Sequence, residues 1–195
     1  MGDWRRVPTL SGKHVALRPL VADDRDAILA AASDGLLWAL FYTAVPGPET
    51  INAWMDRATA DQAAGRALPL AVTLPDGRVV GSSRFMRMNE ANRRLEIGTT
   101  FYAASVQRSP VNTEAKLLML THAFEFLGCL CVQFRTDWFN RRSQAAIERL
   151  GAKRDGVLRN HNIMPDGRVR DTVVYSIIAN EWPGVRANLE HRLRG

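Results

Sequence analysis

The sequence predicts an α/β domain in which a mixed sheet of about seven strands is flanked by helices. Segments with a two-residue alternation of apolar side chains are interleaved with segments of helical periodicity. Two Pro-Asp-Gly turns each join a pair of predicted strands, and no linker, repeat or low-complexity stretch divides the chain. Because 195 residues are enough to bury a sizeable core, we expect one domain over residues 1–195.

The first half of the chain predicts three strands and two helices. In order they are a strand over 14–20, a helix over 21–33 that begins at acidic residues, a helix over 48–64 ended by Gly65, and strands over 68–74 and 79–88. The turn at 75–77 makes the last two strands a hairpin.

The second half predicts four strands and three helices. In order they are a strand over 95–102, a helix over 111–127 ended by Gly128, a strand over 129–136, a helix over 140–150 ended by Gly151, strands over 157–160 and 169–178 around the second turn at 165–167, and a last helix after 180–183.

Composition excludes several classes of protein. Hydrophobic residues make up 46% and charged residues 24% of the chain, close to globular averages, which argues against disorder, collagen-like repeats and coiled coil. The N-terminus lacks the apolar stretch of a signal peptide, and the longest apolar run, residues 36–45, is too short to span a bilayer. We therefore expect a soluble cytoplasmic protein with no membrane partner.

Charge and cysteine content exclude further classes. The net charge is +6, but basic residues are dispersed among acidic ones, so we expect no nucleic-acid partner, while a small polyanionic ligand remains attractive. The four histidines are scattered, and no CxxC motif or zinc spacing exists. Cys129 and Cys131 alternate along an apolar run that predicts a strand, where both fill the core. We expect no metal and no structural disulfide.

The start of the helix near residue 110 has the chemistry of an anion site. Ser109 is a good N-cap, and Pro110 suits the first helical position, where its missing N–H costs nothing. The amides of Val111, Asn112 and Thr113 then point out of the positive end of the helix. Taken alone, this pattern is more typical of a capped helix without a ligand.

A series of short motifs accompanies that helix start. They are Leu17-Arg-Pro-Leu20 in the first strand, Glu96-Ile-Gly98 in the fourth, Asn112-Thr-Glu-Ala-Lys116, Asn140-Arg-Arg-Ser143, residues 147–152, Arg159, residues 165–171, and Tyr175-Ser176. In order and spacing they resemble the Gcn5-related N-acetyltransferase (GNAT) superfamily, in particular its branch similar to ribosomal-protein N-terminal acetyltransferases. The resemblance covers nearly the whole chain.

The resemblance implies a mostly antiparallel central sheet that splays between its fourth and fifth strands, with acetyl-CoA as co-substrate in the gap. It implies that the pantetheine arm pairs with backbone near Phe101, Tyr102 and Ala103, that the pyrophosphate lies on the turn at Gln107, Arg108 and Ser109, and that Asn140 and Ser143 touch the cofactor. Pro110 and Asn112 stand where the family has glycines. We therefore expect an altered cradle in which Arg108, Asn112 and Thr113 supply contacts.

Catalysis of amide formation needs a base for the amine and an acid for the departing thiolate. Glu96 lies on the fourth predicted strand, where a carboxylate that faces the cleft can serve as the base; otherwise it is a strand glutamate paired with Arg94 or Arg84. Ile147 stands where many relatives have the tyrosine acid, which leaves Tyr175, Tyr102 or solvent. In the family the region of Trp38 and Tyr42 covers the acceptor end of the cleft.

The resulting hypothesis is direct acetyl transfer from acetyl-CoA to a primary amine, at a protein N-terminus or on a small molecule. An acyl-CoA-binding or interaction module with little or no turnover is the alternative, because the glycines and the tyrosine are missing. A third reading is a basic nucleic-acid-binding domain, which would show steep salt dependence and no CoA affinity. Neither the acceptor nor a homodimer is decided by the sequence.

Overall fold

The computed structural model describes residues 2–164 and 166–194. One eight-stranded sheet runs through the molecule in the order β1-β2-β3-β4-β5-β6-β8-β7. Its strands are β1 Leu10–Ser11, β2 Ala16–Pro19, β3 Ala67–Thr73, β4 Val79–Asn89, β5 Arg94–Tyr102, β6 Cys131–Asp137, β7 Lys153–Ile163 and β8 Val169–Ile178. All neighbours are antiparallel except β5 and β6, which are parallel. The predicted mixed, mostly antiparallel sheet is confirmed.

Five α-helices flank the sheet. They are α1 Arg25–Ser33, α2 Ile51–Ala63, α3 Pro110–Thr121, α4 Arg141–Leu150 and α5 Trp182–Arg192. A π-helical turn, His122–Phe126, continues α3. Gly65, Gly128 and Gly151 follow α2, the π-helical turn and α4 with φ between +67° and +105°, the left-handed region that glycine adopts without strain. The predicted helix ends are thus confirmed. No helix in the described ranges has both the length and the apolar character needed to cross a membrane.

The helices pack on opposite faces of the sheet. Consecutive residues of a strand point to opposite faces, and on β4 the Ser83 hydroxyl meets Lys116 of α3 while the Arg84 guanidinium lies 4.5 Å from the ring centre of Trp54 on α2. Helices α1 and α2 therefore cover one face and α3 the other, where α5 packs beside it. Apolar side chains from both layers bury the sheet on each side.

Several predicted boundaries were wrong. The short β1 was missed, so the predicted fourth and fifth strands are β5 and β6, and β7 is longer than predicted. Strand β6 begins at Cys131 rather than at 129, because the Cys129 amide donates to the Ala123 carbonyl at 2.9 Å and closes the preceding helical turn. Both cysteines are free. In the second Pro-Asp-Gly turn, Gly167 has φ +82°, and Pro165 lies outside the described residues.

The strand pair β5–β6 creates an opening in the sheet. The two strands pair over three positions only, from Arg94 opposite Cys131 to Glu96 opposite Gln133. Beyond Glu96 each strand continues without the other, so the sheet splays at the predicted place. The backbone edge of β5 after residue 96 therefore faces a gap.

Candidate active site

The gap between β5 and β6 is a cleft of about 660 Å³, within the range of small-molecule sites. Of the residues predicted to form the site, the structure brings eleven to its walls: Tyr42, Glu96, Phe101, Tyr102, Gln107, Arg108, Ser109, Asn112, Thr113, Asn140 and Ser143. Four lie outside the cleft lining: Trp38, Ala103, Val111 and Tyr175. We call the part around residues 107–113 and 140–143 the α3 end, and the part around Glu96 the Glu96 end.

The start of α3 has the predicted cap. Ser109 is the N-cap with extended backbone, and its Oγ accepts from the Val111 amide at 3.3 Å while donating to the Val106 carbonyl at 2.6 Å. Pro110 occupies the first helical turn. Because the cap already uses the Val111 amide and that side chain is buried, Val111 does not offer a free N–H to a ligand. Asn112 and Thr113 remain at the cleft wall.

Pro110→Gly tests whether the proline blocks the phosphate cradle. We expect the variant to lose about 0.4 to 1 kcal/mol of unfolding free energy, because proline restricts the unfolded chain and already fits this helix start. CoA affinity should change little. Thermal unfolding and calorimetric titration with CoA measure both, and a tenfold tighter complex at unchanged stability would instead show that the proline impairs the site.

Two further residues tie the turn before α3 to the start of α4. Gln107 donates from Nε2 to the Tyr102 carbonyl at 2.9 Å, and its Oε1 accepts from Arg142 at 2.8 Å. Asn140 is the N-cap of α4 and accepts from the Ser143 amide at 3.0 Å. The backbone of Arg108 is in the left-handed region, with φ +63°, and this conformation shapes the turn before α3. The α3 end therefore has two adjacent helix starts with basic side chains beside them, a setting that favours phosphate.

Of the three β5-edge residues predicted to lie beside the pantetheine arm, one does not face the cleft. Phe101 and Tyr102 line the cleft, but the Ala103 amide donates to the Val80 carbonyl at 2.8 Å and faces away from it. Earlier in β5 the register shifts so that Thr99 and Thr100 together oppose Ser83, and Thr99 has φ +48°. This bulge bends the strand beside the cleft, a common device for re-aiming groups next to active sites.

Glu96 lies where β5 and β6 part, and it is 5% exposed. Its Oε2 is 3.1 Å from Arg87 Nε and 3.2 Å from Arg135 Nε. Neither contact has the geometry of a hydrogen bond, so both are ion pairs. Burial raises the pKa of Glu96, although Arg135 and Arg87 oppose it. A carboxylate whose pKa is raised toward neutrality is suited to accept a proton near pH 7.

Gly98 keeps space free beside this carboxylate. A Cβ at position 98 would stand 3.1 Å from Glu96 Oε1 and 2.7 Å from the sulfur of Met86. The Glu96-Ile-Gly98 motif is thus explained by close packing around the carboxylate rather than by a backbone angle.

Tyr175 is not placed to act as the acid, which corrects its predicted role. It is fully buried on β8, and its hydroxyl donates to Glu148 Oε1 at 2.9 Å. Burial, with the Glu148 carboxylate adding to it, raises its pKa to about 12. Tyr175 therefore joins β8 to α4 and does not reach the cleft, where Ile147 packs instead.

Tyr102 is the predicted phenol that does line the cleft. Its hydroxyl is buried and has no hydrogen-bond partner among the residues described. Burial raises its pKa well above the ordinary value, so the phenol stays protonated.

Of the two aromatic residues predicted for the acceptor end, only Tyr42 lines the cleft in the part of the chain described. Tyr42 is half-buried, lines the cleft and meets Phe41 edge-on with ring centres 5.0 Å apart. Trp38 packs instead over Gly47, where a Cβ would come within 2.9 Å of the indole. Trp38 therefore holds the loop that carries Tyr42 and does not touch the cleft.

Lys116 is a buried cleft residue that the sequence reasoning gave no role. Its Nζ donates to Thr100 Oγ1 at 3.0 Å and to Ser83 Oγ at 3.3 Å, and no carboxylate within the described ranges pairs with it. Burial lowers its pKa to about 7. The sequence feature that could have indicated its burial is its position on α3, three and four residues before Met119 and Leu120, which places it on the same buried helix face.

The sequence reasoning also missed the charged groups at the Glu96 end, which are Arg87, Arg135, Asp137, His161 and Arg170. On β6 the signal was a run in which Gln133, Arg135 and Asp137 alternate with buried residues. Charged side chains on one face of an otherwise apolar strand need a polar cavity or partners. Across the described chain, no group of three His, Cys, Asp or Glu side chains is placed to hold a metal ion.

Known proteins share this sequence pattern and geometry. A family model described as an acetyltransferase (GNAT) domain matches residues 14–153. Among solved structures, one assigned as an acetyltransferase is 38% identical, with a TM-score of 0.85 over 96% of this chain and 94% of that one. A GCN5-related N-acetyltransferase from Brucella melitensis is 28% identical, with a TM-score of 0.84 over 95% of this chain and 85% of that one.

A third structure, Mycobacterium smegmatis RimJ in complex with CoA-disulfide, is 22% identical, with a TM-score of 0.82 over 97% of each chain; this likeness concerns the fold. No curated protein matches the sequence.

Proposed function

The chain belongs to the GNAT acetyltransferase family, whose members carry out acetyl-CoA-dependent acetylation, and we propose that it transfers the acetyl group directly to a primary amine. The observation that carries the proposal is the position of Glu96. A buried carboxylate with a raised pKa stands at the point where the sheet opens, beside the free edge of β5.

The chemistry assigns one task to each end of the cleft. The α3 end offers helix N-termini and the side chains of Arg108 and Arg142 to the phosphates of CoA. At the Glu96 end, the acceptor ammonium gives one proton to Glu96, directly or through water, and the free nitrogen then attacks the thioester carbonyl. The new C–N bond forms as the C–S bond breaks, and the nitrogen loses its second proton to solvent.

The departing thiolate must gain a proton for the products to be an amide and free CoA. Tyr175 is turned away from the cleft, so of the donors that the sequence predicted, the protonated phenol of Tyr102 and solvent remain. Direct transfer needs no acyl-enzyme, and we propose none.

An assay for free thiol tests this function. The purified protein is incubated with acetyl-CoA and a panel of amino acids, polyamines, aminoglycosides and peptides with free N-termini, and the acetylated product is identified by mass spectrometry. CoA should also raise the melting temperature by mass action. Thiol release that depends on an amine supports transfer, whereas no thermal shift at millimolar CoA and no amine-dependent release overturn it.

A non-catalytic acyl-CoA-binding module is the second candidate. Ile147 at the position of the usual acid and Pro110 in the phosphate turn favour it. The same assay separates the two, because such a module would show the CoA-dependent thermal shift without amine-dependent thiol release.

A further inference from the structure

The Glu96 end of the cleft holds more positive than negative charge. Two carboxylates there are surrounded by four guanidinium groups, of which Arg168 lies outside the cleft lining: Arg87, Arg135, Arg168 and Arg170. Glu96 is shared by the first two. Asp137, with its side chain fully buried, is shared by the last two, with its Oδ2 at 2.8 Å from Arg168 Nη2 and 3.6 Å from Arg170 Nε. The formal excess is therefore two positive charges.

These guanidinium groups are also incompletely paired. The side chains of Arg135 and Arg170 are 20% and 21% exposed, and the Nε atom of each is buried without a hydrogen-bond partner in the part of the chain that the structure describes. A buried cation with unpaired N–H groups is costly. An anion that entered the cleft here would lower that cost.

His161 lies in the cleft near the same arginines. It lines the cleft and touches Thr172, with Nδ1 and Oγ1 3.0 Å apart. Burial and the positive charges of Arg135, Arg87 and Arg170 lower the pKa of this imidazole.

The phosphates of CoA are not placed to neutralise this charge. The turn that would hold them follows Tyr102, and Glu96 lies six residues earlier on β5, which corresponds to roughly 20 Å of extended strand. The basic residues of the α3 end, Arg108 and Arg142, are a separate set. The arginines at the Glu96 end are thus left for the other substrate.

We propose that the acceptor is a primary amine that carries a carboxylate or phosphate group close to its nitrogen, and that Arg135 and Arg170 bind this anionic group while the amine lies at Glu96. The inference rests on the proposed function and names its substrate class. Guanidinium groups bind both oxyanions through paired, charge-assisted hydrogen bonds.

Matched amine pairs test the proposal. Each L-amino acid is compared with its amide, and O-phosphoethanolamine with ethanolamine, so that the anionic group is the main difference. We expect the anionic member of at least one pair to have a kcat/KM at least tenfold higher. Calorimetric titration of the CoA-loaded protein with the same pairs should show the same order of affinity without turnover. The two kinds of pair distinguish a carboxylate from a phosphate.

Variants of the arginines test which residues cause the preference for the anionic amine. Arg170→Gln should reduce the preference at least tenfold, and Arg170→Lys should restore part of it. Because Arg170 contacts buried Asp137, Arg135→Gln is a second probe, and it should reduce the preference in the same way. The matched control is Arg66→Gln, whose exposed side chain pairs with Asp61 away from the cleft.

The outcomes distinguish failure of the anionic acceptor from failure of acetyl transfer. Equal turnover and equal affinity within every pair, or a preference that survives both glutamine variants, overturn the anionic acceptor while leaving acetyl transfer intact. Preferential binding without turnover of any amine supports the anion site and overturns the transfer. Absence of both turnover and amine binding overturns the two together.

Discussion

Glu96→Gln is expected to lower kcat about 10²-fold near neutral pH, the usual effect of removing a positioned base, while CoA affinity stays nearly unchanged. Glutamine retains the size of the side chain but cannot take a proton from the acceptor. The rate of the wild type should fall as pH drops below the raised pKa of Glu96, and the variant should lose this acidic limb.

The difference should also narrow at high pH. Above about pH 8 an α-amino group is increasingly neutral in solution, so a base in the protein matters less. Steady-state rates from pH 6 to 9 measure both effects, with exposed Glu90→Gln as the matched control. Because the Glu96→Gln substitution leaves Arg87 and Arg135 without their anion, melting temperatures must accompany the rates. A variant as active as the wild type across this range would make Glu96 structural.

Lys116→Met is expected to stabilise the protein at pH 7 by about 4 kcal/mol. Burial lowers the pKa of Lys116 to about 7, whereas the unfolded chain keeps the ordinary value of 10.5. Methionine fits the same length without a charge. The Ser83 and Thr100 hydroxyls stay paired with each other at 2.7 Å, so no new unsatisfied group arises.

The sign of the pH dependence follows from the two pKa values of Lys116. Between about pH 7 and 10.5 the unfolded chain binds a proton that the folded chain does not, so the wild type gains stability as pH rises. The advantage of the methionine variant should therefore be largest at or below pH 7 and vanish near pH 10.5. Denaturant unfolding at several pH values measures it, with exposed Lys13→Met as control. A pH-independent difference would mean that Lys116 is not neutral when folded.

Local chemistry made the ends of the elements predictable. Ser109 and Pro110 could be placed at a helix start because the cap and the fixed φ act within one turn, and the structure has both. Gly65, Gly128 and Gly151 ended helices for the same local reason. The error at Cys129 arose because an alternating apolar run does not show where a helical turn closes; a hydrogen bond to Ala123 decides that.

The same distinction between local and distant interactions applies to the residues of the candidate site. Residues that precede or begin a helix, such as Asn140, could be assigned from short motifs. Tyr175 and Trp38 could not, because the direction in which each points depends on its partners, Glu148 in one case and Gly47 in the other. A tyrosine on an apolar strand has the same sequence signal whether its hydroxyl reaches a cleft or a neighbouring helix.

The sequence by itself determined the order of the elements, the capped start of α3, the resemblance to acetyltransferases and Glu96 as the candidate base, since these depend on residue type and on spacing within a few turns. Only the tertiary structure decided which charges meet at Glu96. Arg87, Arg135 and Arg170 come from three different strands. Charge interactions depend on distance in space, and that distance is set by the register of β4, β5, β6 and β8.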